Sequence, residues 1–300
     1  MPNLHTNHRK GIQLAAFGVL VLSFDALLIR LADTTPWNVM FWRGGLMMIS
    51  LSLLVMIRTG LRSLHVIMAS WRIVLLLSVI YGINGSLFVT ALSLTSTANT
   101  VVILSCSAFF AAFFSWLLLR ERLLARTWLA ISICVLGVVV VFFGSIGYAS
   151  LAGDLVALLL AVSMGMVFTL WRLYSHLPRM PVIGLSGLVM CLIAIPMSTP
   201  FSLPQASYPW LIIMGLIQIP AASVLLMSAT RYLSSPEVSL FLLIETVFGP
   251  IWVWLVLGEE VAPLTLWGGA IILTTIIIHS WISIRTEQCQ LSPGDSLHPD

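Results

Sequence analysis

The chain has 300 residues, of which 59% are hydrophobic and 8% charged, with a mean hydropathy of +1.06. Soluble globular domains carry roughly 25% charged residues, so too few charges are present here to cover a water-facing surface. The net charge of +3 is spread as single basic residues between apolar runs rather than gathered on one face, which argues against a nucleic-acid partner.

A bilayer core takes roughly 20 apolar residues per helix, so this length leaves room for about ten spans. Met1 to Lys10, with the apolar run behind it, is shaped like a signal peptide. The run is longer than a usual h-region and no A-x-A-like site follows it, so it reads as a retained first helix. Apolar runs broken by charge, Pro or Gly predict helices at 11–32, 37–57, 72–92, 98–119, 126–145, 152–173, 182–199, 208–230, 236–257 and 263–284. The ninth begins at Ser235-Pro236-Glu237, with Ser235 as N-cap, Pro236 at the first helical position and Glu237 in the first turn. Residues 285–300, rich in Ser, Pro, Gly and Asp, read as a disordered tail. Cys106, Cys134 and Cys191 lie in apolar runs and Cys289 in the tail, without a CxxC pair or a His-Cys cluster, so neither disulfide, metal nor other cofactor is expected.

Lys and Arg are retained on the cytoplasmic side of a membrane. With residues 1–10 inside, twelve of the fourteen basic residues fall at the cytoplasmic face, and only Arg30 and Arg43 fall toward the outside. A wrong helix count would move every later loop to the other side and destroy that bias. Ten spans with both termini cytoplasmic, in the cell's inner membrane, therefore follow. The tryptophans agree: Trp37, Trp42, Trp210, Trp252, Trp254 and Trp267 sit toward outer helix ends and Trp71, Trp116, Trp128, Trp171 and Trp281 toward inner ends, as aromatic belts do.

An offset of 138 residues superposes Ala91 on Ala229, Ser96 on Ser234, Leu104 on Leu242, Phe110 on Phe248, Trp116 on Trp254, Glu121 on Glu259 and Thr127 on Thr265. Two five-helix repeats are thus predicted at 11–145 and 152–284. Five is odd, so the two insert with opposite orientation: Arg120-Glu121-Arg122 with Arg126 is basic and inside, while the matched Gly258-Glu259-Glu260 has lost every positive charge. Inverted repeats of this kind build transporters with a midplane site at the repeat interface.

These residues resemble the drug/metabolite transporter superfamily, and within it the EamA-type ten-helix transporters. Each repeat of that family ends in a helix, a short loop with leucine-(glycine)-glutamate, and another helix; here the loops are Leu118-Leu119-Arg120-Glu121-Arg122 and Leu257-Gly258-Glu259. The stretch from Leu243-Ile244-Glu245-Thr246 to Trp254 is similar to the family's ninth helix, and Arg43 to an arginine common in its second. The proline often found after the ninth-helix glutamate is Thr246 here, with Pro250 four residues on, and the fourth helix has no proline. The resemblance implies an all-α fold that carries amino acids, metabolites, nucleotide derivatives or drugs.

Ionisable side chains inside a bilayer are costly and mark function. Glu245 lies nine residues into the ninth helix, about 13 Å from its inner end and so near the midplane. It could accept a proton for coupling or contact a substrate amine; the alternative is a protonated packing residue. Asp25 and Arg43 lie at similar depth and could pair, either as a structural salt bridge or to grip a substrate carboxylate or gate the outer cavity. Asn84, Asn99, Gln218 and His279 are read first as interhelical glue, with Gln218 beside Pro220 and Asn84 also able to line a cavity. Ser107, Ala111 and Ser115 form a small-residue face for close packing.

The expected function is secondary transport, most simply export, of small organic metabolites such as amino acids. It would proceed by alternating access, by a monomer or homodimer in the lipid bilayer, with proton coupling at Glu245. ATP is not expected as energy source, because a P-loop needs a GK pair and the one lysine, Lys10, precedes its glycine. The alternatives are a membrane-embedded enzyme, against which the scattered single His residues speak, and a non-transporting membrane partner, which would leave the repeat and the midplane carboxylate unexplained.

Overall fold

The computed structural model describes residues 4–59, 68, 70–120, 151–259, 261 and 263–291, with isolated positions between 129 and 143; the side chains of 4–8, 59, 276 and 279–291 are not described. The expected fifth helix, 126–145, thus lies mostly outside the described residues, as do Glu121, Trp128 and the side chains of His279 and Trp281. Every regular element among the described residues is helical.

Among these residues eight helices are long and apolar enough to cross a bilayer: Arg9–Ala32, Pro36–Arg58, Trp71–Leu94, Thr97–Leu119, Leu151–Leu173, Arg179–Met197, Ser207–Ala229 and Ser235–Leu257. A shorter apolar stretch follows at Pro263–Thr275. The eight agree with the sequence-derived spans to within a few residues, and the ninth stretch shares the expected start at 263.

Three spans are interrupted. The first is split into α1 (Leu4–Leu22) and α2 (Asp25–Ala32) at Ser23 and Phe24. The Ser23 hydroxyl donates back to the Leu20 carbonyl at 2.7 Å, competing with the helix. α1 also starts ahead of the expected Gly11, since nothing from His5 to Lys10 breaks a helix. Then come α3 (Pro36–Thr59) and α4 (Trp71–Leu94). The fourth span is α5 (Thr97–Ser105) and α6 (Ser107–Leu119), parted at Cys106. After α7 (Leu151–Leu173) and α8 (Arg179–Ala194), the next span is α9 (Ser207–Ile213), a π turn at Met214–Gln218, and α10 (Ile219–Ala229). Pro220 has no N–H for the carbonyl of Leu216, and the widened turn takes up the misfit. α11 (Ser235–Leu257) contains Pro250, and α12 (Pro263–Leu291) closes the fold.

Two expectations are corrected. Residues 285–291 are helical and belong to α12, not to a disordered tail: Glu287, Gln288 and Gln290 are good helix formers and the first breaker is Pro293. The N-cap of α11 is Ser234, not Ser235. Ser234 Oγ accepts the Glu237 N–H at 3.4 Å while the Glu237 carboxylate accepts the Ser234 N–H at 2.6 Å, a capping box that needs this four-residue spacing.

Matched positions of the repeat carry the same local structure. Ser96 caps α5 as Ser234 caps α11. α6 ends on Arg120 in the left-handed region (φ 58°), and α11 ends on Gly258 there (φ 69°). The α5–α6 span packs antiparallel to α11, with Thr97 beside Glu259 and the Thr246 hydroxyl donating to the Val101 carbonyl at 3.1 Å. α3 likewise runs antiparallel to α8: the Asn38 amide oxygen accepts the Thr199 N–H at 2.7 Å at one end, and Gly184 faces Leu51 toward the other.

Trp71, Trp116, Trp254 and Trp267 are exposed on the outer surface of the bundle, as belt residues would be. Trp171 is not: it is wholly buried, with the Arg179 guanidinium 4.9 Å over its ring. Arg179, expected at the membrane surface, is buried as well and donates to the carbonyls of Trp171, Ser175, Leu177 and Met227. Helix ends leave such carbonyls unbonded, and one guanidinium with five donors answers several together.

Candidate substrate site

The break in the first span makes Asp25 the first residue of α2 and turns it into the protein, where it is fully buried. Arg43, on α3, brings Nη2 to 2.9 Å from Asp25 Oδ2. Its guanidinium also lies 5.6 Å over the Phe88 ring. The pairing suggested by equal depth is therefore present. It leaves Asp25 Oδ1 and Arg43 Nη1 buried without a hydrogen-bond partner among the described residues.

Glu245 is buried on α11, and its Oε2 likewise has no partner among the described residues. It faces the same cavity as the ion pair, a narrow space of about 60 Å³ between the two halves of the chain. Asn84 also lines it, its amide reaching the Leu160 carbonyl at 3.4 Å. Tyr81 and Ser223, which the sequence reading passed over, join their hydroxyls at 2.9 Å on the cavity wall. Met47, Phe88, Met164 and Met190 supply apolar surface. Two carboxyl groups face one guanidinium, so with both acids ionised the site lacks one positive charge. A proton or a cationic group on a solute would supply it.

Gln218 does not reach the cavity. Its amide donates to the carbonyls of Val21 (3.1 Å) and Leu22 (3.5 Å), which the break in the first span leaves unbonded. That is the glue role, served by a helix far away in sequence. Ser107, Ala111 and Ser115 are buried, and Gly165 packs directly on Ala111, as a packing face requires.

A second polar cluster lies at the end of the bundle where α2 and α11 finish. The Glu259 carboxylate accepts the Thr97 N–H at 2.8 Å and meets Arg30 Nε at 3.3 Å; Arg30 Nη2 donates to the Thr95 carbonyl at 3.1 Å. Behind it, buried Asp154 accepts from Thr95 Oγ1 (2.7 Å) and from the Asn99 amide (3.2 Å), whose oxygen accepts from the Thr265 hydroxyl. Asp154 carries the same signal as Asp25, an ionisable residue in an apolar run, and the sequence reading missed it.

The sequence profile of the EamA-like transporter family matches residues 9–143 and 151–281, one match per half. Among solved structures, one crystal structure whose title names no function aligns with a TM-score of 0.66 at 15% identity, covering 91% of this chain and 98% of that one, a likeness of fold. No curated protein matches. With two family matches spanning nearly all of its apolar helices, this multi-pass membrane chain belongs to the EamA-like transporter family, whose members carry small molecules across membranes.

Proposed function

We propose that the protein is a secondary transporter that exports small organic metabolites, amino acids or related compounds, by alternating access around the Asp25–Arg43–Glu245 cavity. The chain would cross the inner membrane ten times as two inverted five-helix halves, residues 11–145 and 152–284, with both termini cytoplasmic. The antiparallel packing of α5–α6 on α11 and of α3 on α8 supports the inversion.

One observation carries the reading: buried ionisable side chains from both halves line one cavity and keep polar atoms without a hydrogen-bond partner among the described residues. Unsatisfied buried charge is expensive, so these atoms await partners. A solute with a carboxylate for Arg43 Nη1 and an amine for Asp25 or Glu245 would supply them. Tyr81 and Ser223 would offer hydroxyls and Phe88 an apolar face. The cavity is well below the roughly 300 Å³ of small-ligand pockets, so binding requires the halves to part, which is the motion alternating access needs. When no solute amine is present, a proton on Glu245 balances the charge, which makes it the coupling residue.

The test uses purified protein in liposomes loaded with labelled amino acids. Parent protein should accumulate a solute against its gradient when a proton gradient is imposed, with a rate that varies with pH. Glu245→Gln keeps shape but cannot titrate; it should lose accumulation while retaining solute exchange. A Gln variant that still accumulates solute with the parent's pH profile removes Glu245 from the mechanism. A parent that carries no amino acid or related compound removes the substrate assignment.

A further inference from the structure

The short helix α2 holds a cavity residue at its first position and a residue of the far polar cluster near its last. Asp25 and Arg30 are five residues apart, about 7.5 Å along the axis. At the inner end of α2 the chain is interrupted, and Phe24 stacks on Trp252 of α11 at 5.0 Å while Trp252 Nε1 donates to Ser23 Oγ at 3.2 Å. At its outer end Arg30 meets Glu259, which comes from the other half of the chain. We infer that α2 is a gate, a rigid lever hinged at Ser23–Phe24 and latched by Arg30 on Glu259, so that what binds at Asp25 bears on the latch. This rests on reading the cavity as a transport site.

The bonds at that end tie the halves together. Glu259 holds Arg30 and the first turn of α5 at once, and Asp154 and Thr265 from the second half grip Thr95 and Asn99 from the first. Asp154, Thr95, Asn99 and Thr265 are all buried, unlike Arg30 and Glu259. Among the described residues the polar cluster around Arg179, at the opposite end, lies within the second half, and there the halves meet through the Ser78 hydroxyl donating to the Val182 carbonyl at 3.0 Å and Lys10 over the Tyr232 ring rather than through an ion pair. Arg30 and Glu259 keep 28% and 27% of their side-chain surface exposed, so water can replace the ion pair when α2 swings out. A fully buried pair would lock the gate. The carboxylate at 259 also explains what the leucine-glycine-glutamate loop does in this half, since it caps the start of a helix in the other one.

The experiment needs no substrate. In detergent, with the four native cysteines replaced by serine, a cysteine is introduced by Ala26→Cys, a position 1% exposed on α2, and its labelling by a water-soluble maleimide is timed. Glu259→Gln should raise that rate about tenfold, as expected for loss of one charge-assisted contact. Arg30→Gln, which leaves the bond from Thr97 to Glu259 intact, should raise it in the same direction. Ala111→Cys, fully buried in the α6–α7 contact, should label as slowly in these variants as in the parent. The gate is overturned if position 26 stays slow in both variants, if only Glu259→Gln speeds it, which would mean capping alone, or if position 111 speeds in step, which would mean general loosening. Unchanged labelling in a protein that transports solute in liposomes removes the gate alone. Absence of transport in the parent removes the transporter reading whatever the labelling rates.

Discussion

Gly44 on α3 and Gly187 on α8 meet backbone to backbone: a Cβ on Gly44 would lie 2.4 Å from the Gly187 carbonyl oxygen, and one on Gly187 would lie 2.5 Å from the Gly44 oxygen. The contact is reciprocal, and the two residues occupy the second helix of each half. Small residues at such a crossing let two helices approach in a membrane where no hydrophobic effect pushes them together.

Alanine at 44 or 187 should therefore force α3 and α8 apart and lower stability by about 1–3 kcal/mol, the usual cost of overpacking. Gly45 is the control, since a Cβ there would meet only Cys191 Sγ at an ordinary 3.7 Å. Thermal unfolding midpoints in detergent should fall for Gly44→Ala and Gly187→Ala and stay put for Gly45→Ala. Equal midpoints for all three would contradict the crossing.

For the buried ion pair, Asp25→Asn and Arg43→Gln should each impair membrane abundance or transport, because a lone buried charge costs about 3–5 kcal/mol. The charge-swapped double variant Asp25→Arg/Arg43→Asp should recover part of the loss. Simple additivity, measured as protein in the membrane and solute carried, would mean that the two side chains act independently.

Much of the fold was legible in the sequence because apolar runs near the bilayer thickness, broken by charge and Pro, leave little choice. The depth of Asp25 and Arg43 was also readable by counting residues, which allowed their ion pair without requiring it. What counting does not give is the direction a side chain faces around its helix. For that reason Glu245, at a plausible depth, could not be set beside the ion pair, and Gln218, at an equally plausible depth, points elsewhere. The interruption at Ser23 was hidden for a different cause: Val21-Leu22-Ser23-Phe24 reads as continuous helix, and the groups that satisfy the broken turn come from Gln218 and Trp252, far along the chain. The start of α11 was misread by one residue because Ser234 and Ser235 are chemically the same, and only the reciprocal bond to Glu237 distinguishes them.

Gln218→Leu should lower stability by about 1 kcal/mol through the loss of the amide's bonds to Val21 and Leu22. Solute preference should be unchanged. A variant of parental stability with altered preference would make Gln218 a substrate contact.

Reporter fusions at the two termini and within 58–72 should report a cytoplasmic location, since twelve of the fourteen Lys and Arg residues fall on that side when ten spans are counted. A carboxyl terminus on the outside would mean a different number of crossings and would remove the inversion of the halves.

The corner after α6 offers a route to a sturdier protein. Arg120 and Gly258 stand at matched positions, both with positive φ, yet only one is the residue that adopts this geometry without steric conflict. The two matched corners are unequal, and the first holds a bulky side chain in the strained form. Arg120→Gly should relieve about 1 kcal/mol of that strain. It also removes a positive charge from a loop that the positive-inside rule assigns to the cytoplasm, so on that reading insertion and stability would pull in opposite directions at this one position. Arg120→Asn, which tolerates the left-handed region, would separate the charge from the strain, and comparing the two variants in thermal unfolding and in topology would measure each effect on its own.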